Sequence, residues 1–163
     1  MTDSSLILVP VGWVSSPLVD RGAAPRQGDE GAPECILVFE EAVLPALDGV
    51  GPEQDFLVLT WLHQAERDVL KTHPRSDMSR PEEGVFNTRS PDRPNPIGLH
   101  RVRVLAVDGN RVRVANLEAI DGTPILDLKP VLGEPRAHAQ DEHVRLGPDP
   151  VLDNAAPGDS AHA

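Results

Sequence analysis

Two short segments of this chain concentrate side chains able to hold a small polar ligand. The first, Asn87-Thr88-Arg89-Ser90-Pro91-Asp92-Arg93-Pro94-Asn95-Pro96-Ile97-Gly98, carries three prolines within six residues. Each proline fixes its own φ and pushes the preceding residue out of the helical region, so the backbone is held extended, with neither helix nor ladder. Arg89, Arg93 and Asn95 then project from a stiffened frame, and a guanidinium fork matches a carboxylate or a phosphate. The same residues would also serve as a rigid connector whose arginines pair with nearby acids, because prolines are ordinary corner chemistry. The second segment, Asp121-Gly122-Thr123-Pro124-Ile125-Leu126-Asp127-Leu128-Lys129-Pro130, opens as a tight turn. Asp121 and Thr123 beside a bare glycine backbone suit hydrogen bonding to a small ligand as well. His63, ending an apolar run, can be read as a proton acceptor, a ligand contact or a satisfied strand-end histidine.

Several other chemistries lack their residues. Gly49-Val50-Gly51 is followed by Pro52 and has no third glycine at the offset of a dinucleotide-binding turn. Neither a P-loop lysine nor a Gly-x-Ser-x-Gly elbow occurs. Cys35 is the single cysteine, which excludes an intramolecular disulfide and a thiolate-rich zinc site. His138, His143 and His162 do not form a closely spaced set of three ligands, so no metal is expected.

The elements that must position these segments are short. Ser5 to Val14 reads as a first strand, closed by Ser15-Ser16-Pro17. Asp20 to Pro33 is a long loop, of a length that is often functional or mobile. Glu34 to Glu40 reads as a second strand, and Leu44, Leu47 and Val50 predict one or two helical turns within Ala42 to Gly51. Asp55 to His63, the most apolar stretch, predicts a central strand with both faces covered. Glu66 to Glu83 is charged and reads as a mobile excursion. Leu99 to Val107 and Arg111 to Leu117 flank Asp108-Gly109-Asn110. Val102, Val104, Val112 and Val114 alternate there with Arg101, Arg103, Arg111 and Arg113, which predicts a hairpin with its arginines outward. Ile125 to Leu128 makes a last short strand. From Glu134 onward apolar period is lost, so residues 134–163 are expected to be a disordered acidic tail behind a domain over 1–133.

Length and composition agree with one such domain. The chain has 163 residues, 39% of them apolar and 25% charged, a globular balance and not a fibrous or disordered one. Its 17 prolines argue against long helices, each costing roughly 3 kcal/mol in a helix interior. An all-β barrel or sandwich with minor helix is therefore expected. No apolar run approaches the roughly 20 residues of a membrane span, and no secretory leader is evident; the expectation is a cytoplasmic protein. The net charge of -11 repels phosphate backbones on average. Yet Arg67, Lys71, Arg75, Arg80, Arg89, Arg93, Arg101 and Arg103 face only five acids in the same stretch. Either a positive strip or a mixed solvated face follows from that.

The two dense segments together resemble the TsaA-like, or TrmO, family of S-adenosylmethionine-dependent methyltransferases. Pro25-Arg26-Gln27 resembles the family's Pro-Arg-Gln loop, and His63-Gln64 its His-Gln pair; all four motifs stand in the family's order. The resemblance implies a small antiparallel β-barrel with short helices, a homodimer, and an S-adenosyl-L-methionine pocket where the subunits meet. It implies that Pro25, Arg26, Gln27, His63, Gln64, Arg89, Leu99, Asp121, Gly122, Thr123 and Pro124 line that pocket. It further implies N6-methylation of threonylcarbamoyladenosine beside the anticodon of a tRNA, with His63 the catalytic candidate and Arg93 and Asn95 on the substrate side. Asn87 and Asp92 depart from the family pattern and leave two alternatives in view. One is a methyltransferase of a small-molecule or other nucleotide acceptor; the other is a non-catalytic regulator that binds S-adenosylmethionine.

Overall fold

The computed structural model describes residues 6–133; the expected tail lies outside them. Strands β1 (Gly12–Ser15), β2 (Cys35–Phe39), β3 (Asp55–Trp61), β4 (Lys71–Thr72), β5 (Glu83–Gly84), β6 (Ile97–Asp108), β7 (Arg111–Ala115) and β8 (Pro124–Pro130) are joined by short 3-10 turns. The all-β class is thus what the chain adopts. Six strands run antiparallel in the order β1-β2-β7-β6-β3-β8, and β8 bonds to both β3 and β1, which closes the sheet. Closure leaves those strands without an open edge for another chain to pair with.

Alternation decides which side chains enter the interior. In β6, Gly98, His100, Val102 and Val104 are buried while Leu99, Arg101 and Arg103 face outward. Leu37, Val58, Val102, Val104, Val112, Val114 and Ile125 form the core, each at most 1% exposed. Gly12 is required where β1 crosses β2, because a Cβ there would run into the backbone of Val38 and Phe39. Cys35 is part of this core, and burial, the largest influence, pushes its thiol above the usual range. A thiol reagent is therefore expected to label native protein slowly and unfolded protein at once; equal rates in the two states would contradict that packing.

Three elements differ from their expectation. The first strand begins at Gly12 and not at Ser5: Leu6, Ile7 and Val9 are 72–85% exposed with no partner strand, and Pro10 offers no donor. The helical turns sit at Glu41–Leu47 and are 3-10, with Pro45 inside. Val43, Leu47 and Val50 of this region pack against the core and line a cavity of about 540 Å³. The charged excursion contains the β4–β5 pair, Lys71 opposite Gly84 and Thr72 opposite Glu83. The hairpin is close to its expected bounds, turning at Gly109 with φ +56°.

Candidate functional site

The segment between β3 and β6, residues 62–96, and the loop between β1 and β2 meet along a groove of about 1370 Å³. Its wall includes Pro25, Arg26, Gln27, His63, Gln64, Arg89, Arg93, Leu99 and Thr123. Four motifs far apart in sequence therefore share one concavity, the usual form of a ligand site. Asn95, Asp121, Gly122 and Pro124 are not among the wall residues.

The loop carrying Arg26 is pinned from both sides. Gly28 lies so close to Asn116 that a Cβ would strike its carbonyl, and an Arg26 Nη donates to the carbonyl of Arg75. His63 and Gln64 follow β3 directly, where Leu62 N–H donates to the Pro96 carbonyl (2.8 Å). His63 is exposed, not a core histidine. The Gln64 carbonyl accepts from Arg21 Nη1 at 2.8 Å.

The proline-rich corner has neither helix nor ladder from Thr88 to Pro96, as its prolines require. Arg93 holds it from within. Its Nε donates to the Ser90 carbonyl (2.8 Å), and its Nη2 donates to the carbonyls of Val85 (2.9 Å) and Thr88 (2.6 Å). The Asp92 carboxylate accepts from Arg21 Nη2 and from Glu66 N–H, both at 2.8 Å. Arg67 donates to the Pro94 carbonyl (2.9 Å) and stacks 5.2 Å from the Trp61 ring centre. Asn95 Oδ1 lies 3.5 Å from the Arg67 guanidinium.

Most of the basic strip is spoken for in the same way. Arg101 and Arg103 each reach Asp55 at 2.8 Å, Arg75 meets Glu30 and Arg80 meets Glu83. The mixed-face reading therefore describes this strip better than a free positive one. Hydrogen bonds from Arg103 and Arg101 hold the Asp55 carboxyl below its usual 3.8. A depressed carboxyl contributes stability above its unfolded value and loses it as pH falls through the folded one. Asp55→Asn should accordingly flatten the acid limb of a melting-temperature profile below about pH 4; an unchanged limb would show the trio contributes nothing. Arg89 differs from its neighbours: it is exposed in the groove and has no ion-pair or hydrogen-bond partner among the described residues.

Asp121 to Pro124 form a turn on the barrel. Asp121 Oδ1 accepts from Ser16 N–H (3.0 Å), Gly122 takes φ +76°, and Thr123 Oγ1 donates to the Ile120 carbonyl (2.7 Å). Their side-chain bonds serve the chain itself.

A further cluster escapes the motifs. His100, 5% exposed, is bracketed by Thr60 Oγ1 at Nε2 (2.8 Å) and Glu118 Oε1 at Nδ1 (2.7 Å). Glu118 Oε2 is buried without a partner. The usable signal was parity, since His100 shares an inward face with Val102 and Val104; Glu118 had none. Among the described residues no group of three metal-ligating side chains comes together, and no helix is long and apolar enough to cross a membrane.

The tRNA-methyltransferase O N-terminal domain profile covers residues 13–135. A probable S-adenosyl-L-methionine-binding protein of Methanothermobacter thermautotrophicus is 43% identical over 130 residues, 80% of this chain and 93% of that protein. An S-adenosyl-L-methionine-binding protein of Archaeoglobus fulgidus is 42% identical over 125 residues, 76% of this chain and 88% of its own length. The crystal structure of TrmO from Pseudomonas aeruginosa superposes with a TM-score of 0.63 at 27% identity, over 85% of this chain. The chain spans only 61% of that protein. On this evidence the chain belongs to the TrmO N-terminal domain family.

Proposed function

We propose that the groove binds S-adenosyl-L-methionine and that the chain transfers its methyl group to N6 of threonylcarbamoyladenosine in tRNA. The observation that carries the reading is the gathering of Arg26-Gln27, His63-Gln64, Arg89 and Leu99 around one groove in a member of this family. The donor set fits such a ligand: Arg89 offers an uncommitted guanidinium fork to a carboxylate, and the groove is roomier than a nucleoside amino acid needs. When bound, the sulfonium supplies an electrophilic methyl carbon. The chain's part is chiefly alignment, which can lower a barrier by roughly 7–11 kcal/mol when the attacking atom is held in line. The Arg93-tied corner keeps Arg89 in place, while His63 stands exposed on the wall, free to contact ligand or accept a proton. Arg93 lines the wall with its guanidinium turned onto the corner's own carbonyls, and Arg93 and Asn95 remain the substrate-side candidates.

Pairing of two chains belongs to the same reading. Exposed Leu6, Ile7, Val9 and Trp13 support it, and light scattering would measure it. Mass spectrometry of tRNA nucleosides from a deletion strain tests the activity; persistence of every methylated adenosine would overturn the acceptor assignment. A small-molecule acceptor is the second reading, favoured by the pairing of Arg75, Arg80, Arg101 and Arg103 with acids. Under it, purified protein would methylate a metabolite extract and leave tRNA untouched at low salt, where phosphate contacts are strongest.

A further inference from the structure

Thr60, His100 and Glu118 form a polar chain in a mainly apolar barrel. Thr60 comes from β3, His100 from β6 and Glu118 from the loop after β7, so three parts of the fold converge to make it. Nδ1 faces the Glu118 carboxylate and Nε2 the Thr60 hydroxyl, so the imidazole is fixed at both ends. Gly98 stands opposite Thr60 on β6, and a Cβ there would press on both Thr60 Oγ1 and His100 Nε2. A bare backbone is therefore needed for the chain of bonds to exist.

The chain ends on an unmet demand. Glu118 and His100 both line the groove, and Glu118 is 84% buried at the side chain. His100 is its one hydrogen-bond partner among the described residues, none of which offers a donor to its Oε2. Buried carboxylate oxygens are ordinarily satisfied, because an unpaired one forfeits its hydration with nothing in return. An acid held by His100, which Thr60 fixes in turn, bare on its remaining oxygen and bordering a ligand groove, calls for a donor or cation from the ligand.

We propose that Glu118, positioned by His100 and Thr60, is the counter-charge for the cationic end of the methyl donor. This rests on the S-adenosyl-L-methionine reading above. That molecule has two cationic groups, sulfonium and ammonium, and the Glu118 carboxylate would offset either; the ligand's own carboxylate is left to Arg89.

Calorimetry on the full chain tests this with three probes: S-adenosylmethionine, S-adenosylhomocysteine and 5′-methylthioadenosine. The last has neither cation. Glu118→Gln keeps the shape and an acceptor for His100 but removes the charge. It should weaken S-adenosylmethionine binding by about tenfold to a hundredfold, the usual worth of a charge-assisted contact, and leave 5′-methylthioadenosine within twofold. A parallel loss for S-adenosylhomocysteine assigns the contact to the ammonium; an unchanged affinity assigns it to the sulfonium. The ratio of affinities within one variant does not depend on the folded fraction, and Glu118→Ala must give the same ratio. Unaltered S-adenosylmethionine affinity in Glu118→Gln, or an equal loss for 5′-methylthioadenosine, overturns the inference alone. Wild-type chain that binds none of the probes overturns the donor reading beneath it too.

Discussion

Arg93→Ala is expected to open the proline-rich corner and to weaken ligand binding with it. One side chain there satisfies the carbonyls of Val85, Thr88 and Ser90. Hydrogen bonds to a charged group contribute more than neutral ones. Discounted for partial exposure, the loss should destabilise the corner by about 2–4 kcal/mol. Limited proteolysis between Val85 and Pro96 should quicken, and S-adenosylmethionine affinity should fall more than tenfold although Arg93 itself faces backbone. Arg93→Lys separates geometry from charge. An ammonium is a point donor on a flexible stem and does not reproduce the fork, so the lysine variant should be nearly as impaired as alanine. Wild-type resistance to protease in both variants would show that the prolines and the Arg67 and Asp92 ties hold the corner without Arg93.

Arg89→Ala should do the opposite in one respect and the same in another. With no partner among the described residues, its removal leaves nothing unsatisfied, so the melting temperature should stay within error. Binding of S-adenosylmethionine should weaken by about 1.5–3 kcal/mol if the guanidinium takes the carboxylate. The discriminating probe is 5′-methylthioadenosine, which has no carboxylate and should bind both proteins alike. An unchanged calorimetric affinity for S-adenosylmethionine would remove Arg89 from the site. Arg93 and Arg89 are four residues apart, yet one is a structural tie and the other a free hand.

That distinction is not legible in the sequence. Proline spacing announces a stiff corner, and guanidinium chemistry announces an anion partner, but the partner of each arginine depends on contacts with residues remote in the chain. Arg21 to Asp92 and Arg103 to Asp55 are such cases. The β6–β7 hairpin is legible because period two survives any tertiary context, with Val102, Val104, Val112 and Val114 inward and their arginines outward. The N-terminal apolar run misleads for the converse reason: Leu6 to Val9 has strand propensity, but a strand exists only where another backbone accepts its bonds. At the site, His63 drew attention through its motif, whereas His100 carried the right parity and no motif. Glu118 could be found only once the barrel had brought it to His100.

The strands on either side of the groove-forming excursion, β3 and β6, are direct neighbours in register from Asp55–Arg103 to Trp61–Ile97. Topologically, residues 62–96 are one long hairpin connection, and the entropic cost of closing such a connection grows only slowly with its length. The connection can therefore change in length or sequence while the barrel beneath keeps its pairing. Under the methyl-transfer reading, new acceptor preferences would then arise by transplanting this one insert, with Arg21, Arg26 and Glu30 as junctions a graft has to preserve.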